Sequence, residues 1–166
     1  MKIIQHFCHE IEKNNRIIKT LPVSLSHSQS HDNPIFYRDC SELFLRACKS
    51  GNLNDVQNMF IELKNGNKND LNFTNSDGRT GLYFAAMEGH LPIVQYLVSE
   101  GAMIDIKDNQ GLTAFVRASY EGHLSICEYL ISLNSNAIIE TDGATAIKFA
   151  KNRHHKEIVS LIEPLM

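Results

Sequence analysis

Segments of this chain recur at a fixed interval of 33 residues, and that interval restricts the available folds more than any other feature. The same number of positions separates Gly78 from Gly111 and Gly89 from Gly122. The first copy reads Asp77-Gly78-Arg79-Thr80-Gly81-Leu82-Tyr83-Phe84-Ala85-Ala86, then Glu88-Gly89-His90-Leu91 and Ile93-Val94-Gln95-Tyr96-Leu97-Val98. Next come Gly111-Leu112-Thr113-Ala114-Phe115-Val116-Arg117-Ala118, Glu121-Gly122-His123-Leu124 and Ile126-Cys127-Glu128-Tyr129-Leu130-Ile131. Another copy opens at Gly143, one residue early, and closes on Ile158-Val159-Ser160-Leu161-Ile162. A divergent copy upstream holds Leu43–Leu53, Val56, Met59 and Phe60; about five extra residues, placed within Lys64–Asn69, separate it from the next. A module this short cannot cover its own apolar side, so copies must stack on one another.

The recurring residues specify two short helices and a turn per module. Thr80, Thr113 and Thr145 stand where a helix is expected to begin, each with a hydroxyl able to accept from unpaired backbone N–H groups. Leu82, Phe84 and Ala85, then Ile93, Val94 and Leu97, have the i, i+3, i+4 spacing of a buried stripe. Ala85-Ala86 and Ala118-Ser119 are small enough for neighbouring helices to approach closely. Gly89 and Gly122 follow the first helix, where a left-handed residue ends it at little steric cost. The expected fold class is all-α.

This pattern resembles the ankyrin repeat family, whose motif is T-P-L-H-x-A on a 33-residue period. The matching stretches read Thr-Gly-Leu-Tyr-Phe-Ala-Ala, Thr-Ala-Phe-Val-Arg-Ala-Ser and Thr-Ala-Ile-Lys-Phe-Ala-Lys, without the family's proline and histidine. The resemblance implies an ankyrin-repeat solenoid of about four helix–turn–helix repeats over residues 37–166, divided at about 40–74, 75–107, 108–140 and 141–166. Polar residues in the first and last copies, among them Arg46, Lys49, Lys148 and Lys156, suit end caps that lack an outer neighbour. Upstream, Ile3, Ile4, Phe7, Cys8 and Ile11 predict an amphipathic helix in 1–20, followed by a Ser- and His-rich linker over 21–36. That helix is expected either to shield the first repeat or to dock into a partner's groove.

Composition and motifs argue against chemistry. The net charge of −3 is dispersed, so no basic field points to nucleic acid, and no apolar run points to membrane insertion. Four separated cysteines without a CxxC pair read as reduced, buried thiols in a cytoplasmic setting. His6, Cys8 and His9 match no zinc spacing, so no metal or cofactor is expected. Phosphate loops, HExxH and nucleophile–base groupings are absent from the sequence, and the carboxylates fall in turns at the repeat's own period, which an acid/base pair need not follow. The expectation is therefore not an enzyme. His90 and His123, by the resemblance, hydrogen-bond between units, and His154-His155 occupies the Gly-His place of the last repeat and reads as a degenerate terminal turn.

The family resemblance implies a protein-binding module whose hairpin tips and first-helix positions line a concave groove. The corresponding residues are Lys49 and Ser50, then Thr74, Ser76, Asp77, Arg79, Met87 and Glu88. Lys107, Asn109, Gln110, Leu112, Tyr120 and Glu121 follow, then Asp142, Ala144, Asn152 and Arg153. Met87, Leu112 and Tyr120 are candidate anchors, apolar or amphipathic where the scaffold does not demand it. Arg117, at a position usually aliphatic, is expected either to snorkel or to pair with Glu88 or Glu121. The expected partner is a protein, bound by a monomeric chain acting as adaptor, inhibitor or recruiting module. The alternative role is a structural or homo-oligomerising element using the N-terminal helix. An Asn-, Lys- and Ile-rich composition suggests an AT-rich genome; together with the resemblance to small ankyrin proteins of intracellular bacteria, large DNA viruses and protists it implies, for the first two, a host-directed effector acting in the host cytoplasm.

Overall fold

The computed structural model describes residues 34–65, 70–138 and 142–166. The expected leading helix, the His6/Cys8/His9 group and the linker up to residue 33 lie outside these. Among the described residues every regular element is helical: α1 (Pro34–Ser50), α2 (Leu53–Asn65), α3 (Gly81–Met87), α4 (Leu91–Ser99), α5 (Ala114–Glu121), α6 (Leu124–Ile138), α7 (Ala144–Asn152) and α8 (Lys156–Ile162). A 3₁₀ turn, Glu163–Leu165, follows α8. The first helix starts at Pro34, inside the stretch that the sequence suggests as linker. Proline suits a first turn because its ring presets φ and its missing N–H would have no helical partner there.

Each odd-numbered helix folds back through a short turn onto the even-numbered helix that follows. Odd helices pack against odd (α1–α3–α5–α7) and, less extensively, even against even. Ala85, Ala86, Ala118, Ser119, Ala146 and Ala150 are all fully buried at the close-packed inner row. The core continues outward through Phe44, Val56 and Phe60, then Leu82, Ile93 and Leu97, then Phe115, Ile126 and Leu130, then Ile158 and Ile162. Gly81 occupies the place of the motif's proline because a Cβ there would lie 2.9 Å from the Phe44 ring and 3.0 Å from Cys48 Sγ. Burial raises the Cys48 thiol to about 12 and the Cys127 thiol to about 11, so both stay protonated at neutral pH and pack as small apolar groups.

Thr80 and Thr113 cap α3 and α5, their hydroxyls accepting from the N–H groups of Tyr83 at 3.1 Å and Val116 at 3.4 Å. Thr145 corrects the pattern: it lies inside α7, exposed, and the cap position belongs to Gly143 with helical φ and ψ. Asp108 is three positions ahead of Gly111, whereas Asp142 is next to Gly143. The shorter turn leaves no extended residue for a threonine cap to occupy.

One joint recurs between successive repeats. Gly51, Gly89 and Gly122 end the odd helices with φ of +85°, +82° and +91°. Against each lies a histidine ring from the next repeat: His90, His123 and His155. Their Nε2–H groups donate at 3.0 Å to the carbonyls of Lys49, Met87 and Tyr120. His155 is therefore a full member of the series, not the degenerate turn suggested by the sequence. His154 takes the glycine's place before it, with φ +63°.

Each such glycine meets two demands, a left-handed backbone and room for an imidazole. Gly89→Ala would bring a Cβ 2.7 Å from the His123 ring, whereas at Gly111, with φ +77°, nothing lies within 4 Å of the added carbon. Gly111→Ala is expected to cost about 1–2 kcal/mol, the backbone penalty alone. Gly89→Ala is expected to cost roughly 1–3 kcal/mol more through overpacking. Urea denaturation of the two variants should show the larger loss for Gly89; equal losses would mean that the ring contact is not restrictive.

Candidate functional site

The hairpin tips are built by side chains that close their own turns. Asn75 Oδ1 accepts from the N–H groups of Asp77 and Arg79, and 33 positions on Asp108 Oδ1 accepts from those of Gln110 and Leu112, all at 2.9–3.0 Å. Successive tips are then tied together. The Asn109 backbone N–H donates to the Asp77 carbonyl and its Nδ2 to the Ser76 carbonyl, each at 2.9 Å. Ser76, Asp77, Asn109 and Gln110 are exposed as expected, but the amide of Asn109 is already used within the scaffold.

Beneath the tips runs a buried polar network. Asp108, only 5% exposed, accepts from the Tyr83 hydroxyl at 2.9 Å and has the Arg79 Nε 3.6 Å away. Burial by itself raises the Asp108 carboxyl, yet these hydrogen bonds and the guanidinium outweigh it and hold the group below the usual carboxylate range. Tyr83 is pushed up to about 12, first by burial, then by its bond to Asp108 and that residue's charge. Asp142, expected on the groove, is likewise buried: Thr113 Oγ1 donates to it at 2.6 Å and Lys107 stands 3.7 Å away. Among the described residues no three His, Cys, Asp or Glu side chains converge as metal ligands.

The exposed sides of the odd helices carry the remaining candidates. Lys49 and Glu88 are exposed and stand 3.9 Å apart across α1 and α3. Met87 is half-buried, its carbonyl engaged by His123. Leu112 is also half-buried and packs on the core. Tyr120 sits edge-on to Phe149, centroids 5.6 Å apart, with the guanidinium carbons of Arg117 and Arg153 at 5.0 and 4.5 Å from its ring centre. Such contacts fix the ring between repeats. Arg117 resolves its two alternatives: its Nη2 pairs with Glu121 at 2.7 Å, and Arg153 reaches the other oxygen of Glu121 at 3.5 Å. Asn152 is exposed beside Arg153. Gln110, Leu112, Val116, Arg117, Tyr120 and Phe149 enclose a cleft of roughly 210 Å³.

Val116 and Phe149 are walls of this cleft that the sequence did not single out, since both read as core positions of their repeats. Tyr83 carried one available signal: it stands where the motif has histidine, and a buried tyrosine hydroxyl needs a partner.

Stacked helix pairs and polar tips tied at the repeat period define a tandem-repeat scaffold. The family model described as ankyrin repeats (3 copies) matches residues 44–140, and the chain belongs to the ankyrin repeat family. It is similar to mouse "Ankyrin repeat and SAM domain-containing protein 6", 41% identical over 63 residues, 38% of this chain and 7% of that protein. It is also similar to zebrafish "Inversin", 34% identical over 89 residues, 54% of this chain and 8% of that protein. The chain thus spans less than a tenth of either relative. No helix among the described residues is long and apolar enough to cross a membrane.

The Tyr83–Asp108 pair gives the fold a pH signature. A tyrosine whose folded pKa is raised from 10 to about 12 adds stability that is complete below 10 and is lost as pH climbs toward 12. Tyr83→Phe is expected to cost about 1.5–3 kcal/mol at neutral pH, since the lost bond is to an ionised carboxylate, and to flatten the alkaline decline in denaturant midpoint. An unchanged decline would place the titrating group elsewhere.

Proposed function

We propose that this chain binds a protein or peptide partner through the concave face formed by the hairpin tips and the exposed sides of the odd helices. The observation that carries this reading is the division of labour among polar groups. Those beneath the tips are consumed by internal bonds, while Lys49, Glu88, Gln110, Asn152 and Arg153 remain exposed along a face framed by half-buried Met87, Leu112 and Tyr120. Apolar anchors within a polar rim are the usual anatomy of a protein interface. Ankyrin repeats are generally protein–protein interaction modules, which supports the same reading. A host-directed effector that captures a host factor is the narrower form of this proposal, resting on the family resemblance and the composition together. Self-association through the N-terminal segment is the structural alternative.

The test compares two surfaces. Met87→Arg with Gln110→Arg alters the proposed face; Gln95→Arg with Glu128→Arg alters exposed positions on α4 and α6. In affinity purification with mass spectrometry, partners should fall at least about tenfold with the first pair, the equivalent of ~1.4 kcal/mol, and stay with the second. The reverse pattern would move the site to the even helices.

A further inference from the structure

The cleft between α5 and α7 is too small for a cofactor and has the wrong walls for a purely charged ligand. Its volume, roughly 210 Å³, falls short of the ~300–1,000 Å³ usual for small-molecule sites, and suits one inserted side chain. Leu112, Val116, Tyr120 and Phe149 supply apolar and aromatic walls, and Gln110 and Arg117 supply the polar ones. The electrostatics beside it are unbalanced. Arg117 and Arg153 share one carboxylate, Glu121, at 2.7 and 3.5 Å. Lys107 pairs with Asp142 at 3.7 Å and Lys151 with Glu163 at 2.7 Å. The buried Arg117 Nε–H has no acceptor among the described residues. Two guanidiniums on one carboxylate leave a positive charge uncompensated beside the cleft, and an arriving carboxylate would meet it with charge-assisted bonds.

We infer that this cleft selects a partner segment in which a large apolar side chain, phenylalanine, tyrosine or leucine, lies within two residues of an aspartate or glutamate. The apolar group fills the cleft against Tyr120 and Phe149. The acid joins the Arg117–Glu121–Arg153 cluster as its second anion. Tyr120, held edge-on to Phe149 and flanked by both guanidiniums, needs no reordering to receive the ring, so little conformational entropy is lost on binding. The inference rests on the concave-face reading and narrows it to a chemical class of partner.

A random dodecapeptide library displayed on phage, selected against the full chain, tests it directly. Enriched peptides should carry the apolar–acidic pair. Synthetic copies read by fluorescence anisotropy should weaken at least about tenfold when the acid becomes its amide. On Arg117→Gln that penalty should vanish. Arg153→Gln, at an exposed position, should reduce it. No enrichment, or an acid replaced without loss on the unaltered chain, overturns the inference, as does the same penalty on both variants. Enriched peptides that lack the pair, yet are lost on the chain carrying Met87→Arg and Gln110→Arg, would retain the concave face and discard this cleft. Peptides indifferent to that double variant but lost with Gln95→Arg and Glu128→Arg would discard both.

Discussion

The odd helices stack closely because fully buried alanines and Ser119 line the inner row of α3, α5 and α7 and Gly81 makes room for Phe44 and Cys48 of α1, and that close approach sets the spacing of everything attached to them. Backbone proximity brings the glycine ending one odd helix under the histidine of the next repeat, so that the imidazole donates to a carbonyl two residues before that glycine. The joint recurs three times, from Gly51 to His155, and links each repeat only to its neighbour. Stability in such an array is a sum of local units and nearest-neighbour seams. With only two inner repeats, each joint carries a large share of it.

The same repeat geometry explains where the polar residues beneath the tips find their partners. Asn75 and Asp108 close equivalent turns, Asn109 ties one tip to the one before, and Tyr83 reaches from its own helix to the next turn. These groups spend their hydrogen-bonding capacity on the scaffold. What stays accessible is an arrangement of paired charges and half-buried rings. Charge pairs near solvent contribute little to stability; on an interface they discriminate between partners more than they add affinity.

Most of the fold was legible because its determinants are local and repeat. The 33-residue spacing, the apolar stripes, the caps at Thr80 and Thr113 and the turn glycines each follow from residue type and position. Legibility failed where a local rule met a changed length. Thr145 looks like its counterparts, but two residues fewer between Asp142 and the glycine carry the backbone into α7 too soon for a cap. His154-His155 looks like a lost Gly-His, yet His154 accepts the left-handed backbone and His155 keeps its carbonyl. Tyr120 reads as a free anchor until Phe149, 29 positions away, is placed against it.

Periodicity and residue size, both written in the chain, were enough to decide the all-helical class, the stacking and the side of each repeat that turns inward, because burial of a short module depends on its neighbours and little else. Which carboxylate is buried, which guanidinium lacks an acceptor and where a cleft opens were decided only by tertiary structure. Those outcomes depend on distances between side chains of different repeats, and a shift of an ångström separates a satisfied donor from an unsatisfied one.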